Sequence, residues 1–215
     1  MTTKRLSRRD FLKTAGVTLG ASVLACSGLG YAASIPPEIE TPELSYAKDN
    51  DMNKRILVTY ATRAGSTVEV AAAIGEALSK RGFAVDVKPV KEKPSLANYQ
   101  AVLMGSAIRA GNWLPEAVDF VKTNQQALNK MPAALFTVHM NNTGDDDASR
   151  AARLAYLQTV RPLLNQAEEI YFAGKMDFAR LSFLDRLIVT IMARGIEADR
   201  RDWNKIRNWV PAILA

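Results

Sequence analysis

The residues best suited to gripping a charged small molecule fall in one short turn. Thr62-Arg63-Ala64-Gly65-Ser66-Thr67 puts three hydroxyls, a glycine and an arginine into six positions, immediately before a stretch with helical apolar spacing. Small side chains let the backbone wrap closely, and the first amides of the following helix point at whatever the hydroxyls surround, an arrangement that suits a phosphate group. The turn has neither the Gly-Lys-Ser/Thr ending of a P-loop nor the Gly-x-Gly-x-x-Gly of dinucleotide folds. The plain alternative is a polar strand-to-helix turn capped by Ser66 or Thr67. Two later stretches are also rich in groups that bind. Ser106-Ala107-Ile108-Arg109-Ala110-Gly111-Asn112-Trp113 gathers an arginine, an aromatic ring and a glycine bend, and His139-Met140-Asn141-Asn142-Thr143-Gly144-Asp145 is polar and turn-forming. Three such loops converging on one crevice make a site with a phosphate end and a flat, partly apolar end.

Each of these loops follows a segment that reads as a buried strand. Residues 55–60 (RILVTY), 101–105 (AVLMG), 133–138 (AALFTV) and 169–173 (EIYFA) are short apolar runs, and residues 84–90 alternate as an edge strand does. Helices are expected over 67–81, ended by Gly82, over 115–126 with Pro115 in the first turn, over 147–165 and over 199–210. Strands separated by helices imply right-handed crossovers. The fold class is therefore α/β: a doubly wound, five-stranded parallel sheet of flavodoxin-like type with helices on both faces and an insertion before the last helix. In such sheets ligands lie beyond the carboxyl ends of the strands, where the three loops stand.

Composition narrows the chemistry further. The 215 residues are 48% hydrophobic and 23% charged, with one cysteine and one histidine. This excludes an internal disulfide framework and cysteine-rich metal sites, and no metal site is expected. The net charge of +6 is misleading. Five basic residues and Asp10 in the first 25 positions carry +4 of it, leaving 23 basic against 21 acidic residues, or +2, on the remainder. That balance gives no support for a nucleic-acid surface.

The N-terminal 33 residues read as an address. Ser7-Arg8-Arg9-Asp10-Phe11-Leu12-Lys13, followed by a mildly apolar stretch too short to span a bilayer, resembles a twin-arginine export signal. Val23-Leu24-Ala25-Cys26 is similar to a lipoprotein processing box; the alternative is cleavage nearer Gly30-Tyr31-Ala32, with Cys26 discarded. Export through this route, to the periplasm or the outer face of the membrane with or without a lipid anchor, is the expected localisation. Residues 34–53, with Pro36, Pro37 and Pro42, read as an extended tether, and 54–215 as the folded domain.

The turn at Thr62 to Thr67 resembles the phosphate loop of flavodoxins, and residues 106–113 resemble their ring-contacting loop. Within that superfamily, Met104-Gly105-Ser106-Ala107-Ile108-Arg109-Ala110-Gly111 is most similar to the menaquinone-dependent protoporphyrinogen oxidases. So are Phe172-Ala173-Gly174-Lys175-Met176, Asp185-Arg186 before an apolar segment, and Asp202-Trp203. The resemblance implies bound FMN. Its phosphate would be held by Thr62, Gly65, Ser66 and Thr67, with Arg63 and Ala64 in the same loop. Its ring would meet Ser106, Ala107, Ile108, Arg109 and Gly111, with Trp113 either stacked on it or serving as a half-buried anchor for the next helix. His139, Met140, Asn141 and Asn142 would line the other edge, His139 acting as an acid-base group or as a hydrogen-bonded filler. Ala64 stands where flavodoxins often carry a hydroxyl, and residues 139–146 lack a ring-covering aromatic.

The resemblance further implies an oxidoreductase moving electrons between a small organic reductant and a membrane quinone. The alternatives are an exported flavodoxin-type electron carrier with no substrate of its own and a flavin-free scaffold. Residues 181–192 (LSFLDRLIVTIM) are expected either to touch a membrane surface or border a quinone pocket, or to be a covering helix. Export fits haem synthesis poorly and points toward a reductant other than a porphyrinogen.

Overall fold

Arg55–Ala61 is buried at every position after Arg55, on both faces, which places it in the middle of a covered sheet. The structure, a computed structural model, describes residues 39–46, 55–183, 186, 187, 190, 198–209, 211 and 214. In chain order the strands are β1 (Leu44–Tyr46), β2 (Arg55–Ala61), β3 (Ala84–Pro89), β4 (Ala101–Arg109), β5 (Asn112–Trp113), β6 (Ala133–His139), β7 (Glu168–Ala173), β8 (Lys175–Met176) and β9 (Ala198–Asp199). The helices are α1 (Ser66–Lys80), α2 (Pro115–Thr123), α3 (Gln125–Leu128), α4 (Asp147–Ala155) and α5 (Trp203–Asn208). The described residues 181–183, 186, 187 and 190 fall in a second compact unit. The export segment 1–33, and Leu184, Ile188 and Ile191 of the expected apolar face, lie outside the described residues.

The main sheet runs β1-β3-β2-β4-β6-β7, and from β3 to β7 every pairing is parallel. The chain winds outward from β2 through α1 to β3, then crosses back to β4 and continues, through α2, to β6 and β7. The winding therefore reverses between β2 and β4, which is where a doubly wound sheet opens a crevice. Alternate side chains of β2 feed two cores. Ile56, Val58 and Tyr60 pack with Val70, Ile74 and Leu78 of α1 and with Ile206 and Trp209, whereas Leu57 packs with Leu114, Val118 and Val121 on the α2 side. Gly105 is required where β4 and β6 lie side by side: a Cβ there would collide with the Phe136 ring, which lies across it.

Several expected boundaries move, each for a local reason. The helix expected over 115–126 is interrupted at Asn124, whose side-chain amide donates to the Phe120 carbonyl at 2.9 Å. The helix expected over 147–165 stops at Ala155, and Pro162 permits only a 3-10 turn at Arg161–Leu163. The closing helix begins at Trp203 rather than at 199. Ala198–Asp199 pairs instead with β8, and the Asp202 carboxylate accepts the Lys205 amide at 2.9 Å to cap α5. Part of the expected tether is packed structure: Leu44–Tyr46 pairs antiparallel with β3, and the Pro42 carbonyl accepts the Tyr60 hydroxyl at 3.1 Å. Strand β3, expected at the edge, is thereby covered.

A polar cluster locks this edge. Asp86 is buried in β3 and accepts from Arg55 Nε at 2.9 Å, Ser45 Oγ at 2.7 Å and the Tyr99 hydroxyl at 2.7 Å. Burial alone would raise its pKa, but these donors outweigh burial and hold it below the usual carboxylate range. A carboxylate with a lowered folded-state pKa stabilises the protein fully above its unfolded value near 3.8, and that contribution is lost as pH falls through the folded value. Asp86→Asn should cost about 3–5 kcal/mol in urea unfolding at pH 7, since it leaves Arg55 partly buried without its partner. The gap from the parent protein should narrow below about pH 4; a gap that does not change with pH would contradict this reading.

Candidate functional site

The turn after β2 carries groups that the protein itself leaves unused. Gly65, at φ +83°, stands at the N-cap of α1 and no side chain caps that helix, so neither Ser66 nor Thr67 plays the capping role. The Thr62 hydroxyl oxygen accepts the Gly65 amide at 3.0 Å and closes the turn on itself. The Gly65 carbonyl takes the amides of Val68 and Glu69, at 3.1 and 3.4 Å. The amides of Ser66 and Thr67, at the first two positions of α1, have no intrahelical acceptor. Beside them the Thr67 hydroxyl is fully buried and, like that of Thr59 within β2, has no hydrogen-bond partner among the described residues. An unmet buried hydroxyl costs about 1–3 kcal/mol, so folded chains rarely leave one without a use. Together with the helix dipole, these donors form a cradle for an anion.

The stretch 106–113 is a hairpin rather than a loop. Strand β4 continues to Arg109, Ala110 and Gly111 turn at φ +49° and +77°, and β5 pairs back so that Ile108 faces Trp113. Ser106 is buried, and its hydroxyl accepts the Leu114 amide at 3.0 Å and donates to the Ala107 carbonyl at 2.8 Å. Trp113 is 3% exposed and donates its indole N–H to the Thr137 hydroxyl at 2.9 Å. Of the two roles expected for Trp113, this geometry is that of the anchor, its ring filling the core beneath the helix start. Of this stretch, Ala107 and Ile108 are half-buried, while Arg109, Ala110 and Gly111 are exposed at the rim.

His139 is likewise committed elsewhere. Its Nδ1 is 2.7 Å from the Asn141 carbonyl oxygen, and its ring packs between those of Tyr156 and Tyr171 with centroids at 5.6 and 6.4 Å. Burial, aided by the charges of Arg153 and Lys205, holds its pKa below the usual value against the opposing effect of the Asn141 contact. A buried imidazole kept neutral in this way is the filler that the sequence offered as one alternative. Asn142, at φ +59°, donates to the Tyr156 hydroxyl at 2.8 Å, and Arg153 donates to the Asn142 and Gly144 carbonyls. The backbone of 140–142 is thus shaped from outside, with Met140 half-buried and Asn141 and Asn142 exposed.

The strand register brings these pieces together. Ala61 pairs with Ser106, and Ala107 with Val138, so the three loops leave neighbouring strand ends. Gly174 and Lys175, absent from the site the sequence suggested, tie two of them. The Gly174 amide donates to the His139 carbonyl at 2.8 Å, and the Lys175 amide donates to the Ser66 hydroxyl at 2.9 Å. The Gln158 side chain reaches the tip of the hairpin, donating to Asn112 at 3.2 Å.

Charge around the turn also comes from residues that sequence reasoning missed. Arg63 points to Glu116, at 3.6 Å. Glu69, in the first turn of α1, meets Arg180 at 3.4 Å and Arg201 at 2.5 Å. Arg201 also pairs with Asp199, lowering the Asp199 pKa to about 2, and lies over the Trp203 ring at 4.4 Å. Arg180 and Arg201 flank the late insertion more than a hundred residues from Glu69, so no periodicity or local motif reveals the contact.

A parallel sheet of this order, with a phosphate-type cradle after its first parallel strand, defines a doubly wound nucleotide-binding protein. Residues 57–202 match the family described as Flavodoxin domain, and the chain belongs to that family. It is 28% identical over 174 residues to the protoporphyrinogen IX dehydrogenase [quinone] of Escherichia coli K12, an alignment covering 74% of this chain and 94% of that protein. It is also 28% identical over 177 residues to the protein of the same name from Leishmania major, covering 75% of each. Among solved structures, an archaeal flavodoxin matches 63% of this chain and 99% of its own at 19% identity and a TM-score of 0.42. Oxidised flavodoxin 2 from Bacillus cereus matches 63% and 97%, at 18% identity and a TM-score of 0.39.

Two hydroxyls of the turn lie side by side in sequence but have opposite internal roles, and stability measurements separate them. Without ligand, Thr67→Val should leave urea-unfolding stability unchanged or raise it by about 1 kcal/mol, because it deletes an unmet donor. Ser66→Ala should lower it by about 1–2 kcal/mol by stranding the Lys175 amide. Equal losses from both would show that Thr67 has a partner in the folded chain.

Proposed function

We propose that this chain is an FMN-dependent oxidoreductase that carries electrons from a small organic reductant to a membrane quinone. The observation that carries the reading is the buried, unpartnered Thr67 hydroxyl beside the open amides of Ser66 and Thr67. The residues fit the phosphate of FMN: Gly65 turns the backbone, Thr62 closes the loop, and Thr67 with the two amides supplies donors. At the ring end Ala107 and Ile108 offer half-buried backbone and aliphatic surface, and Met140, Asn141 and Asn142 form the opposite wall. FMN, when bound, supplies one- and two-electron chemistry at its ring. The protein's part is to hold the nucleotide, shape the walls and limit access of water. His139, neutral and bonded to its own loop, keeps that wall in place and is not needed as a proton carrier.

The quinone acceptor is supported by the two relatives, each a protoporphyrinogen IX dehydrogenase [quinone]. Support for a membrane setting comes from the sequence. Arg8-Arg9 and the apolar stretch after it favour twin-arginine export, and Cys26 favours a lipid anchor on the outer face. Phe183 and Leu187, from the segment expected to touch a membrane, are 69% and 45% exposed. No helix among the described residues is long and apolar enough to cross a membrane.

Purified full-length protein, or protein reconstituted with FMN, should be yellow, and after reduction it should pass electrons to a menaquinone analogue. Thr67→Val should weaken FMN binding by about 1–3 kcal/mol, the scale of a lost hydrogen bond to a charged group. Protein that stays colourless after reconstitution would overturn the reading. Replacing Arg8 and Arg9 together by lysine should leave the precursor in the cytoplasm, as followed by cell fractionation; undiminished export would remove the signal from the account.

A further inference from the structure

We propose that Arg180 is the residue that reads the phosphate charge, so that it sets the preference for FMN over a flavin lacking the phosphate. This rests on the reading of the Thr62–Thr67 turn as a phosphate cradle. The guanidinium of Arg180 lies directly over Gly65: a Cβ on that glycine would collide with its Nη1. The positive φ of Gly65 is what demands glycine at the N-cap, since the flexible end of Arg180 could yield to a Cβ. An open cavity of about 360 Å³ borders this point, lined by Gly65, Val68, Glu69 and Arg180 with Ile39, Glu40 and Pro42, so among the described residues Arg180 is the one cation facing two carboxylates there.

The partners of Arg180 leave it able to take another. Its contacts with Glu69 and Asp177 are 3.4 and 3.7 Å, longer than the 2.7–2.9 Å of a close charge-assisted hydrogen bond, and its side chain is 43% exposed. Arg201, by contrast, is 5% exposed and saturated by Glu69 and Asp199. Arg201 therefore anchors the Glu69 carboxylate, which alone would repel an anion at the first turn of α1. Arg180 is held nearby by one loose contact to the same carboxylate. Its planar fork matches a phosphate in the way an ammonium does not. The arginine that the turn itself carries, Arg63, faces Glu116 instead. A flavin without phosphate would meet the ring walls but offer Arg180 nothing.

The test compares two ligands on full-length protein stripped of flavin, titrating FMN and riboflavin and reading the quenching of flavin fluorescence at low and moderate salt. The unaltered protein should prefer FMN, and more so at low salt. Arg180→Gln should weaken FMN by about tenfold or more, the scale of a lost charged hydrogen bond, and leave riboflavin unchanged. Arg180→Lys should retain part of the preference. Glu69→Gln should strengthen FMN relative to riboflavin severalfold by removing the competing carboxylate; if Arg180→Gln does not fold, Arg180→Lys decides, a preference undiminished in it overturning the role of the guanidinium. Equal changes for both ligands, or none in either series, would overturn the role of Arg180 while leaving the phosphate cradle intact. An unaltered protein that binds neither flavin would instead overturn the cradle itself.

Discussion

The structure turns on backbone amides that a helix cannot satisfy for itself. Every α-helix begins with donors that have no acceptor within it, and chains usually meet them with a side-chain cap or with water. At α1 no side chain caps them. A left-handed glycine occupies the cap position, the adjacent serine is bonded to Lys175, and the adjacent threonine is buried with nothing to bond. Other buried polar groups are mostly met, as the three donors on Asp86 show, with the Thr59 hydroxyl in β2 the other exception among the described residues. Thr67 differs from Thr59 in standing beside the first amides of α1, an arrangement that an anion from outside the chain would complete.

Around that point the protein adds rigidity. Seven described strands in the main sheet fix the ends from which the loops depart, and the junction at Gly174 and Lys175 ties the phosphate turn to the loop after β6. Trp113, Ser106 and His139, which carry the most distinctive side chains near the ring end, all turn inward to support backbone. The ring walls are consequently built from backbone and small or aliphatic groups. That suits a cofactor which brings its own redox chemistry and needs the protein for position and access. The ion-pair chain from Asp199 through Arg201 and Glu69 to Arg180 links the borders of the late insertion to the same helix end.

Much of this was legible in the sequence because it is local. The strand cores at 55–60, 101–105 and 133–138 announce themselves by continuous apolar runs, and the hydroxyl-rich turn by composition. The ends of helices were harder, since Asn124 and Pro162 act through single contacts that periodicity does not register. The direction of Trp113 could not be read: an aromatic before Pro115 fits a ring wall or a core equally well, and the choice depends on Thr137 on a different strand. Lys175, Arg180 and Arg201 became visible only once the chain was folded, because their partners lie 109, 111 and 132 residues away.

The most direct measurement of the central claim is an amide NMR titration of isotope-labelled, flavin-free protein with FMN. The account predicts that the backbone amides of Ser66 and Thr67 show large downfield shifts on binding, as expected for donors newly bonded to phosphate, while those of the β3 edge stay still. Shifts confined to other loops, with Ser66 and Thr67 unmoved, would contradict it.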